Sequence, residues 1–445
     1  MTPWRVGKTP PAVARCVRMP SSGNITSEFS KLILMRRAFL VGIAVGACAL
    51  VYGASGWNMP GGGEEVLRWR AHAVAEIPHG YQVAVADVNG DGRPDILGLS
   101  SVESIVAWYE NPSWEARLIT TQTARNISLA PLFEEGNPAR GIALATEFAL
   151  GDSRNGGDIW WAQPPRASEP EWSPRMIGRI PTSHRLHWAD LDGDGRLELV
   201  DAPLLGYGAE APNYDVGAPL TWYEMPEMLL RGHVSASDAE PGTWASHLID
   251  DSLTVIHGIN VLDWDGDGRD EILTASFEGV HLFKSSGRGA DLRWTKTRLG
   301  EGDQASRPRR GASEIAVGRI RGRRFLATIE PWHGEQVVVY SETKQGGLWS
   351  RRVIDDTFRD GHALSCADLD GDGNDEIVAG YRGLGTSLCI YTAAGASGGK
   401  WERRTLDTNM AAAGVAIADI NGDGRPDIVA IGASTGNVKW YENLP

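Results

Sequence analysis

One acidic pattern occurs five times in this sequence. In Asp190-x-Asp192-x-Asp194-Gly-x-x-Glu198, oxygen-bearing side chains stand at positions 1, 3, 5 and 9, and Gly at positions 4 and 6 permits a tight reversal. Carboxylate and amide oxygens at this spacing converge on one hard cation such as Ca²⁺. The predicted calcium ligands are Asp87, Asn89, Asp91, Asp95, Asp190, Asp192, Asp194, Glu198, Asp263, Asp265, Asp267, Glu271, Asp368, Asp370, Asp372, Glu376, Asp419, Asn421, Asp423 and Asp427.

These ions are expected to be structural. Asn89 and Asn421 replace Asp at position 3 of the first and last copies, which lowers the charge and keeps an oxygen donor. A single copy could be a solvated turn, but five copies in register favour calcium. Without a cation, clustered carboxylates repel each other by roughly 1 kcal/mol per pair at surface dielectric. We therefore expect calcium to raise the melting temperature.

Histidines stand next to the apolar segments that lead into these turns. His184, His257 and His362 each lie six residues before the first Asp of an acidic turn, and His79 lies close to the same place in the first copy. His333, in Glu330-Pro-Trp-His-Gly-Glu335, follows an apolar segment in a copy without the acidic turn. If the acidic turns share one face of the molecule, these five histidines converge on the opposite face.

Other reactive side chains are assigned to the same face by the same argument, namely Tyr81, Glu147, Tyr207, Tyr214, Tyr381 and Arg382. A His or Tyr can abstract a proton next to a carbonyl while Arg or a metal stabilises the enolate, which is the chemistry of lyases and dehydratases.

The predicted catalytic residues have separate roles. His257 and His333 act as base and acid, or hold a divalent metal such as zinc. Tyr381 is the proton donor and Arg382 the anion stabiliser, and His79, His184 and His362 complete the site. The alternative is that these histidines cap a central channel by hydrogen bonds to the backbone. Of the others, His187 is assigned to the core, and His72, His233, His247 and His281 to outer strands or loops.

The elements that must position these residues are short strands in a repeat of about 50 residues. Each repeat has an apolar strand A, the turn, an apolar strand B, a strand C such as Val106-Ala-Trp-Tyr109, and a strand D. Strand D is marked by a Trp followed five residues later by an aliphatic residue. The Trp positions are 69, 114, 172, 244, 294, 349 and 401.

Seven Trp positions predict a seven-bladed, all-β propeller of four-stranded antiparallel blades. Two blades, around 127–177 and 314–354, lack the acidic turn. The chain ends in a strand C at Tyr441, and the Trp69 strand precedes the first strand A, so the N-terminal strand is expected to close the ring. Closure removes exposed sheet edges.

The acidic turns and their flanking strands resemble the FG-GAP/VCBS repeat, as in the propeller of integrin α chains, over essentially the whole chain from Glu64. The combination of Trp108-Tyr-Glu-Asn-Pro112, the His-Gly strand entries and the segment around His333 resembles the propeller domain of aldos-2-ulose dehydratases. That resemblance implies a lyase acting on keto-sugars. The cupin-like domains that accompany that propeller have no counterpart before Pro445, so any isomerase step housed there should be missing.

The N-terminal region has the pattern of a leader with an export signal. Arg36-Arg37 is followed by residues 38–54, which are apolar or Gly throughout, and Met-Arg-Arg-Ala-Phe-Leu from Met35 resembles a twin-arginine signal. We predict a leader over 1–63 with an export signal at 35–56, and the propeller over 64–445. The mature protein is expected to be periplasmic or extracellular without a membrane span. A retained anchor is the alternative, because 17 apolar residues are near the lower limit for crossing a bilayer.

Charge excludes one class of partner. The formal net charge is −14, and after residue 54 the chain carries 36 basic and 56 acidic residues. A domain with this acidic charge is not expected to bind nucleic acid. Two functions remain. The first is a carbon–oxygen lyase acting on a sugar or polysaccharide. The alternative is a non-catalytic carbohydrate- or protein-binding or adhesion propeller, which is favoured by the structural character of the strongest motifs.

Overall fold

The computed structural model describes residues 67–134, 137–165, 172–230, 244–344, 346–395 and 399–445. The predicted export signal and His233 lie outside these residues. Within them, the chain forms seven four-stranded antiparallel sheets, one short α-helix, α1 (Glu227–Leu230), and one turn of 3-10 helix (Gly289–Asp291). None of the described helices has the length and apolar character needed to cross a membrane.

Six blades are each built from four consecutive strands. Blade 1 contains β2 (Gly80–Ala86), β3 (Asp95–Ser100), β4 (Val106–Glu110) and β5 (Glu115–Thr120). Blade 2 contains β6 (Ser128–Glu134), β7 (Asn137–Thr146), β8 (Asp158–Gln163) and β9 (Ser173–Arg179). Blade 3 contains β10 (Ser183–Ala189), β11 (Glu198–Pro203), β12 (Leu220–Tyr223) and β13 (Ser246–Asp250). Blade 4 contains β14 (Gly258–Leu262), β15 (Glu271–Ser276), β16 (Gly279–Ser286) and β17 (Arg293–Gly300). Blade 5 contains β18 (Glu314–Ile320), β19 (Arg323–Glu330), β20 (Gln336–Ser341) and β21 (Ser350–Asp355). Blade 6 contains β22 (Gly361–Ala367), β23 (Glu376–Tyr381), β24 (Ser387–Ala394) and β25 (Lys400–Asp407).

The seventh blade joins the two ends of the chain. It contains β26 (Ala412–Ala418), β27 (Asp427–Gly432), β28 (Asn437–Leu444) and the N-terminal strand β1 (Arg68–Glu76). Strand β1 pairs antiparallel with β28, from Arg68 opposite Leu444 to Glu76 opposite Asn437. The innermost strands contact one another in the cyclic order β2, β6, β10, β14, β18, β22, β26 and back to β2. The predicted seven-bladed all-β propeller is therefore confirmed.

Burial explains the sequence pattern of each blade. Strand B is covered by neighbouring blades on both faces, and every residue of β15 and of β27 is buried. A strand enclosed on both sides reads as a continuous apolar run. Strand D has one face in water, so β25 contains a run of exposed polar residues after the buried Trp401. Apolar contacts between blades hold the described part of the fold together, since both of its cysteines, Cys366 and Cys389, are free.

A polar latch joins neighbouring blades at the end of strand C. The Asn443 side chain donates from Nδ2 to the carbonyl of Leu369 in blade 6 at 2.6 Å, and its backbone N–H donates to Asp427 Oδ1 at 2.8 Å. Asn111 repeats this arrangement, with its side chain bonded to the Ile420 carbonyl at 2.8 Å. In blades 1 and 7, the Asn of the strand C motif thus ties the acidic turn to that of the preceding blade.

Replacing Asn443 with Ala should destabilise the propeller. The change leaves the buried Leu369 carbonyl without its donor, which should lower the free energy of unfolding by about 2 kcal/mol. Urea unfolding followed by tryptophan fluorescence measures this. Asn155→Ala, in an exposed loop, is the matched control and should change stability by less than about 0.5 kcal/mol. Equal stability of both variants would contradict the latch.

Candidate functional site

Four aromatic side chains enter the central axis at equivalent positions of their blades. Tyr81, His184 and His362 are the second residues of β2, β10 and β22, and His257 directly precedes β14. Each stands six residues before the first Asp of an acidic turn. Because the innermost strands line the axis, equivalent entry positions meet there. His333 joins them from the loop between β19 and β20, where its backbone has a φ of +50°.

The histidines are in direct contact. The Nε2 atoms of His333 and His257 are 2.8 Å apart, and the ring centroids of His257 and His362 are 5.1 Å apart. One ring nitrogen from each of His257, His333 and His362 lies within 4.8 Å of the other two. His184 packs beside them, with its ring centroid 4.7 Å from that of His257. We call His184, His257, His333 and His362 the histidine cluster.

Backbone carbonyls fix two of the rings. His257 Nδ1 lies 3.0 Å from the Ser313 carbonyl, and His362 Nδ1 lies 2.6 Å from the Ala413 carbonyl. A carbonyl only accepts, so Nδ1 carries the proton in both rings and Nε2 presents a lone pair. Metal-binding histidines are oriented in this way, with the second nitrogen bonded to a carbonyl or carboxylate. The donor set therefore fits a divalent cation that prefers imidazole ligands.

Tyr81 bridges two of the imidazoles. Its hydroxyl lies 2.9 Å from His184 Nε2 and 3.0 Å from His362 Nε2. Since Nε2 of His362 presents a lone pair, the Tyr81 hydroxyl donates to it, and a cation bound at this nitrogen would free the hydroxyl to donate elsewhere. The phenol is buried, and it supplies a proton donor at the centre of the cluster.

Two arginine–carboxylate pairs flank the histidine cluster. Arg185 is buried and donates to Glu314 Oε1 at 2.7 Å, and the same oxygen lies 3.0 Å from His257 Nδ1. On the other side, Arg382 donates from Nε to Asp360 Oδ2 at 2.8 Å and reaches to 3.5 Å from His333 Nδ1. Both guanidinium groups are thus held beside an imidazole, each with its own carboxylate.

Burial keeps the histidines neutral. Desolvation lowers the pKa of His184, His333 and His362 well below the ordinary value, and nearby arginines and the other histidines lower it further. Desolvation also lowers the pKa of His257, although the contact with Glu314 opposes this shift. At neutral pH the rings are therefore free bases, which can ligate a metal or accept a proton.

The structure brings together five of the seven residues predicted to be catalytic: His184, His257, His333, His362 and Arg382. His79 is exposed in the turn before β2 and makes no hydrogen bond or ring contact with the histidine cluster in the described residues. Tyr381 packs on Phe358 with its hydroxyl 3.5 Å from the Gly385 carbonyl, and within the described residues it makes no hydrogen bond or ring contact with the imidazoles.

The three further residues assigned to this face lie around the cluster rather than in it. Tyr214 is buried and contacts Trp332 edge to face, at 5.7 Å between ring centroids, and Trp332 in turn packs on His333. Tyr207 is 69% exposed at the rim, and Glu147 pairs with Arg125.

Three charged residues of the site were not predicted: Arg185, Glu314 and Asp360. Arg185 directly follows His184, so the histidine pattern could have included it. Glu314 could not be found from the sequence, because blade 5 lacks the acidic turn from which the strand positions of other blades are read. Asp360, with a φ of +60°, ends the loop before β22.

The acidic turns occupy the A–B hairpins of blades 1, 3, 4, 6 and 7, on the face opposite the histidine cluster. Acidic oxygens lie within 4.8 Å of one another in Asp190/Asp192/Asp194, in Asp263/Asp265/Glu271 and in Asp368/Asp370/Glu376. In each turn the first Asp accepts backbone N–H bonds from within the turn, such as Gly193 to Asp190 Oδ1 at 2.8 Å.

The carboxyl at position 9 closes each turn from within the blade. Glu198 accepts a hydrogen bond from the Leu191 N–H at 3.0 Å, and Glu376 accepts one from the Leu369 N–H at 3.0 Å. Burial, and then the neighbouring Asp carboxylates, raise the pKa of Glu198 and of Glu376 to about 8. A raised pKa means that a negative charge at this position is unfavourable unless a cation compensates it, and the oxygen-only donor set fits calcium.

The fold defines the chain as a seven-bladed β-propeller, and segments of it match models of known repeats and domains. Residues 79–98 match the FG-GAP repeat, and residues 368–430 match the FG-GAP-like repeat. Residues 156–344 match the β-propeller domain of aldos-2-ulose dehydratase.

A curated relative agrees with the last match. Aldos-2-ulose dehydratase of Phanerodontia chrysosporium is 26% identical over 309 residues, covering 63% of this chain and 32% of the relative. The chain therefore spans about a third of the length of that protein. The expected resemblance to FG-GAP repeats and to this propeller is confirmed.

The Glu314–Arg185 pair predicts a stability effect. Replacing Glu314 with Gln leaves the buried Arg185 without its carboxylate, which should lower the free energy of unfolding by roughly 3 kcal/mol. Chemical denaturation measures the change. Glu115→Gln, at an exposed pair with Arg117, should cost about 0.5 kcal/mol or less. A Glu314→Gln variant as stable as this control would show that the buried pair does not hold the site together.

Proposed function

We propose that the propeller is a carbon–oxygen lyase of the sugar dehydratase type, with its active site at the histidine cluster. The observation that carries the proposal is the convergence of four neutral imidazoles and one phenol on the ring axis. The similarity to aldos-2-ulose dehydratase, a relative named for dehydration of a keto-sugar, points to the same chemistry.

A divalent metal such as zinc is proposed to be held by His257, His333 and His362. When bound, such an ion supplies Lewis-acid stabilisation of an enolate oxygen. The chain contributes the orientation of the ligands, because the Ser313 and Ala413 carbonyls hold two of the rings with Nε2 toward the other imidazoles.

Proton transfer is assigned to His184 and Tyr81. His184, neutral and buried, accepts the proton from the carbon next to the substrate carbonyl, and the C–H electron pair forms a carbon–carbon double bond. The bond to the hydroxyl on the next carbon breaks, and Tyr81 donates the proton with which it leaves as water. Tyr81 here takes the role predicted for Tyr381, because its hydroxyl lies 2.9 Å from His184.

Arg382 and Arg185 are assigned to charge stabilisation. Arg382 is half-buried beside His333, and its pair with Asp360 fixes the guanidinium without surrounding it. Fixed donors of this kind stabilise charge that develops on an oxygen during reaction.

The second candidate is a non-catalytic carbohydrate- or protein-binding propeller. It is favoured by the acidic turns, which are the most regular motif of the chain and have a structural role. Metal content separates the two candidates, since calcium alone favours binding and an additional zinc favours catalysis.

The proposal extends to calcium in the five acidic turns and to export. Calcium is supported by the clustered oxygens and by the raised pKa of the carboxyls at position 9. Export to the periplasm or the cell exterior, by a twin-arginine signal, is supported by the sequence around Arg36-Arg37. The proposed ligand is a sugar or polysaccharide.

Catalysis is tested with anhydrofructose, aldos-2-uloses and uronate oligosaccharides while an absorbing unsaturated product is followed. The zinc-loaded protein should form product from at least one of them. His257→Ala and Tyr81→Phe should each slow the reaction by about 10² or more, because each removes an acid–base or ligand group. His72→Ala, on the outer strand β1, should keep full activity.

The result that overturns the proposal is equally direct. The lyase assignment fails if no substrate gives product and if a stably folded His257→Ala/His333→Ala variant has the same metal content as the wild type. In that case a binding propeller is the better description.

Calcium binding predicts a gain in stability. Adding calcium to the chelated protein should raise the melting temperature, since a site filled at a hundred times its dissociation constant contributes about 2.7 kcal/mol. Asp263→Asn/Asp265→Asn should reduce the calcium content by one ion and lower this gain. Asp251→Asn, an exposed Asp outside the turns, is the control. A melting temperature that does not respond to calcium would contradict the structural role of the turns.

A further inference from the structure

Blade 4 departs from the other six blades at its outer rim. A cavity of about 620 Å³ lies on the same face as the histidine cluster but shares no residue with it. The charged and imidazole groups that line it are Glu278, His281, Lys296, Arg298, Arg307 and Arg310. Cavities of this size accommodate small ligands.

The repeat itself shows that the basic lining is specific to blade 4. In every blade the pairing of strand C with strand D shifts register once. The residue pair next to this shift, one residue from each strand, can therefore be compared across the blades. In blade 4 this pair is His281 opposite Arg298. The corresponding pairs are Ala107/Leu118, Trp160/Met176, Thr221/Leu248, Val338/Val353, Cys389/Thr405 and Lys439/Ala73. Blade 4 alone among them places an imidazole against a guanidinium.

The loop after this strand also departs from the repeat. The segment between β17 and β18 covers residues 301–313, whereas the other six loops between a strand D and the next strand A have three to seven residues. The extra length brings Arg307 and Arg310 to the cavity. Arg307 is fixed there by Glu278 at 3.2 Å and by the Asn213 carbonyl at 3.0 Å.

The cations are not all neutralised by the protein. Lys296 pairs with Asp250 at 2.8 Å, and this pair is an ordinary blade junction, because Arg403–Asp355 repeats it and Asp407 likewise pairs with a cation of the next blade, Lys439. Arg307 is balanced by Glu278.

The remaining two arginines have weak or neutral partners. Arg298 lies 4.0 Å from the exposed Glu301, and Arg310 donates to the Gln304 amide oxygen at 2.9 Å and to the Ala305 carbonyl at 3.4 Å. Counting Asp250 and Glu301 with the lining groups leaves one positive charge in excess at the cavity.

His281 is the second independent feature. It is 6% exposed, and its Nδ1 has no hydrogen-bond partner among the residues that the structure describes. Burial, together with Lys296 and Arg298, lowers its pKa to about 4, so the ring is neutral and carries one N–H. A neutral imidazole can donate one hydrogen bond to a ligand without adding charge.

We propose that this cavity is a second binding site, which takes the oxyanion group of a small ligand, a carboxylate or a phosphate, between Arg298 and Arg310. Guanidinium groups bind both of these anions through paired, charge-assisted hydrogen bonds. The site is separate from the histidine cluster. Arg307 packs over Phe277 at 5.3 Å, Phe277 contacts Trp332 at 5.7 Å, and Trp332 contacts His333 at 4.9 Å between ring centroids, so an aromatic wall divides them. The inference is therefore independent of the proposed lyase activity.

The test is calorimetric titration of the purified propeller with inorganic phosphate, with glucuronate and with glucose. Phosphate or glucuronate should bind saturably at one site, and glucose should not bind there. Tighter binding of one anion identifies the phosphate or the carboxylate as the natural group. Arg298→Gln and Arg310→Gln should each weaken anion binding about tenfold or more. Arg288→Gln, an exposed arginine on the opposite face, should leave it unchanged.

A measurement on the wild-type protein tests the proposal even if the variants fail to fold. Raising the salt concentration from 50 to 500 mM should weaken anion binding severalfold, because exposed charges are screened. Anion binding that is absent, insensitive to salt, or retained in a folded Arg298→Gln/Arg310→Gln variant would overturn the proposal.

Discussion

The structure depends on the pairing of β1 with β28. This one antiparallel ladder joins the two ends of the chain and turns seven sheets into a closed ring. Closure fixes the position of every innermost strand relative to the axis, so residues that are far apart in the sequence meet there. Tyr81 and His362 are 281 residues apart in the sequence, and the Tyr81 hydroxyl lies 3.0 Å from His362 Nε2. Without the closing strand, β28 would present a free edge and the entry positions would have no common centre.

The same closure sets the electrostatics of the axis. Imidazoles crowded between neighbouring blades lose their water, and burial and mutual repulsion keep them unprotonated. The two arginines beside them reinforce this effect, and each is compensated by a carboxylate, Glu314 or Asp360. Opposite conditions hold on the other face, where carboxylates gather in exposed turns that suit a hard cation. An antiparallel blade separates these two environments, because its A–B turn and its strand A entry are at opposite ends of one strand.

The irregular blades contribute what the regular ones lack. Blade 5 has no acidic turn, and it supplies His333 and Glu314 to the site. Blade 4 keeps its acidic turn, but its outer strands and the following loop carry the basic cavity. The regular blades thus supply Tyr81 and three of the histidines at equivalent positions, and the irregular ones add His333, Glu314 and the basic cavity. The repeat also provides the latches at Asn111 and Asn443 that hold the blades together.

Local pattern was enough to predict much of this protein. The blade number, the strand order, the acidic turns and the shared face of the histidines all follow from spacing along the chain, because a strand fixes the direction of its neighbours within a few residues.

Spacing along the chain did not decide which of these residues are in contact. His79 stands two residues before Tyr81, and its turn places it in solvent, whereas His333 reaches the cluster from a loop. The contacts Arg185–Glu314 and Tyr81–His184 span 129 and 103 residues, and the cavity of blade 4 joins its two outer strands with the loops on either side of the blade. Such contacts depend on the rotation of each blade about the axis and on the path of its loops, which only packing in the closed ring determines.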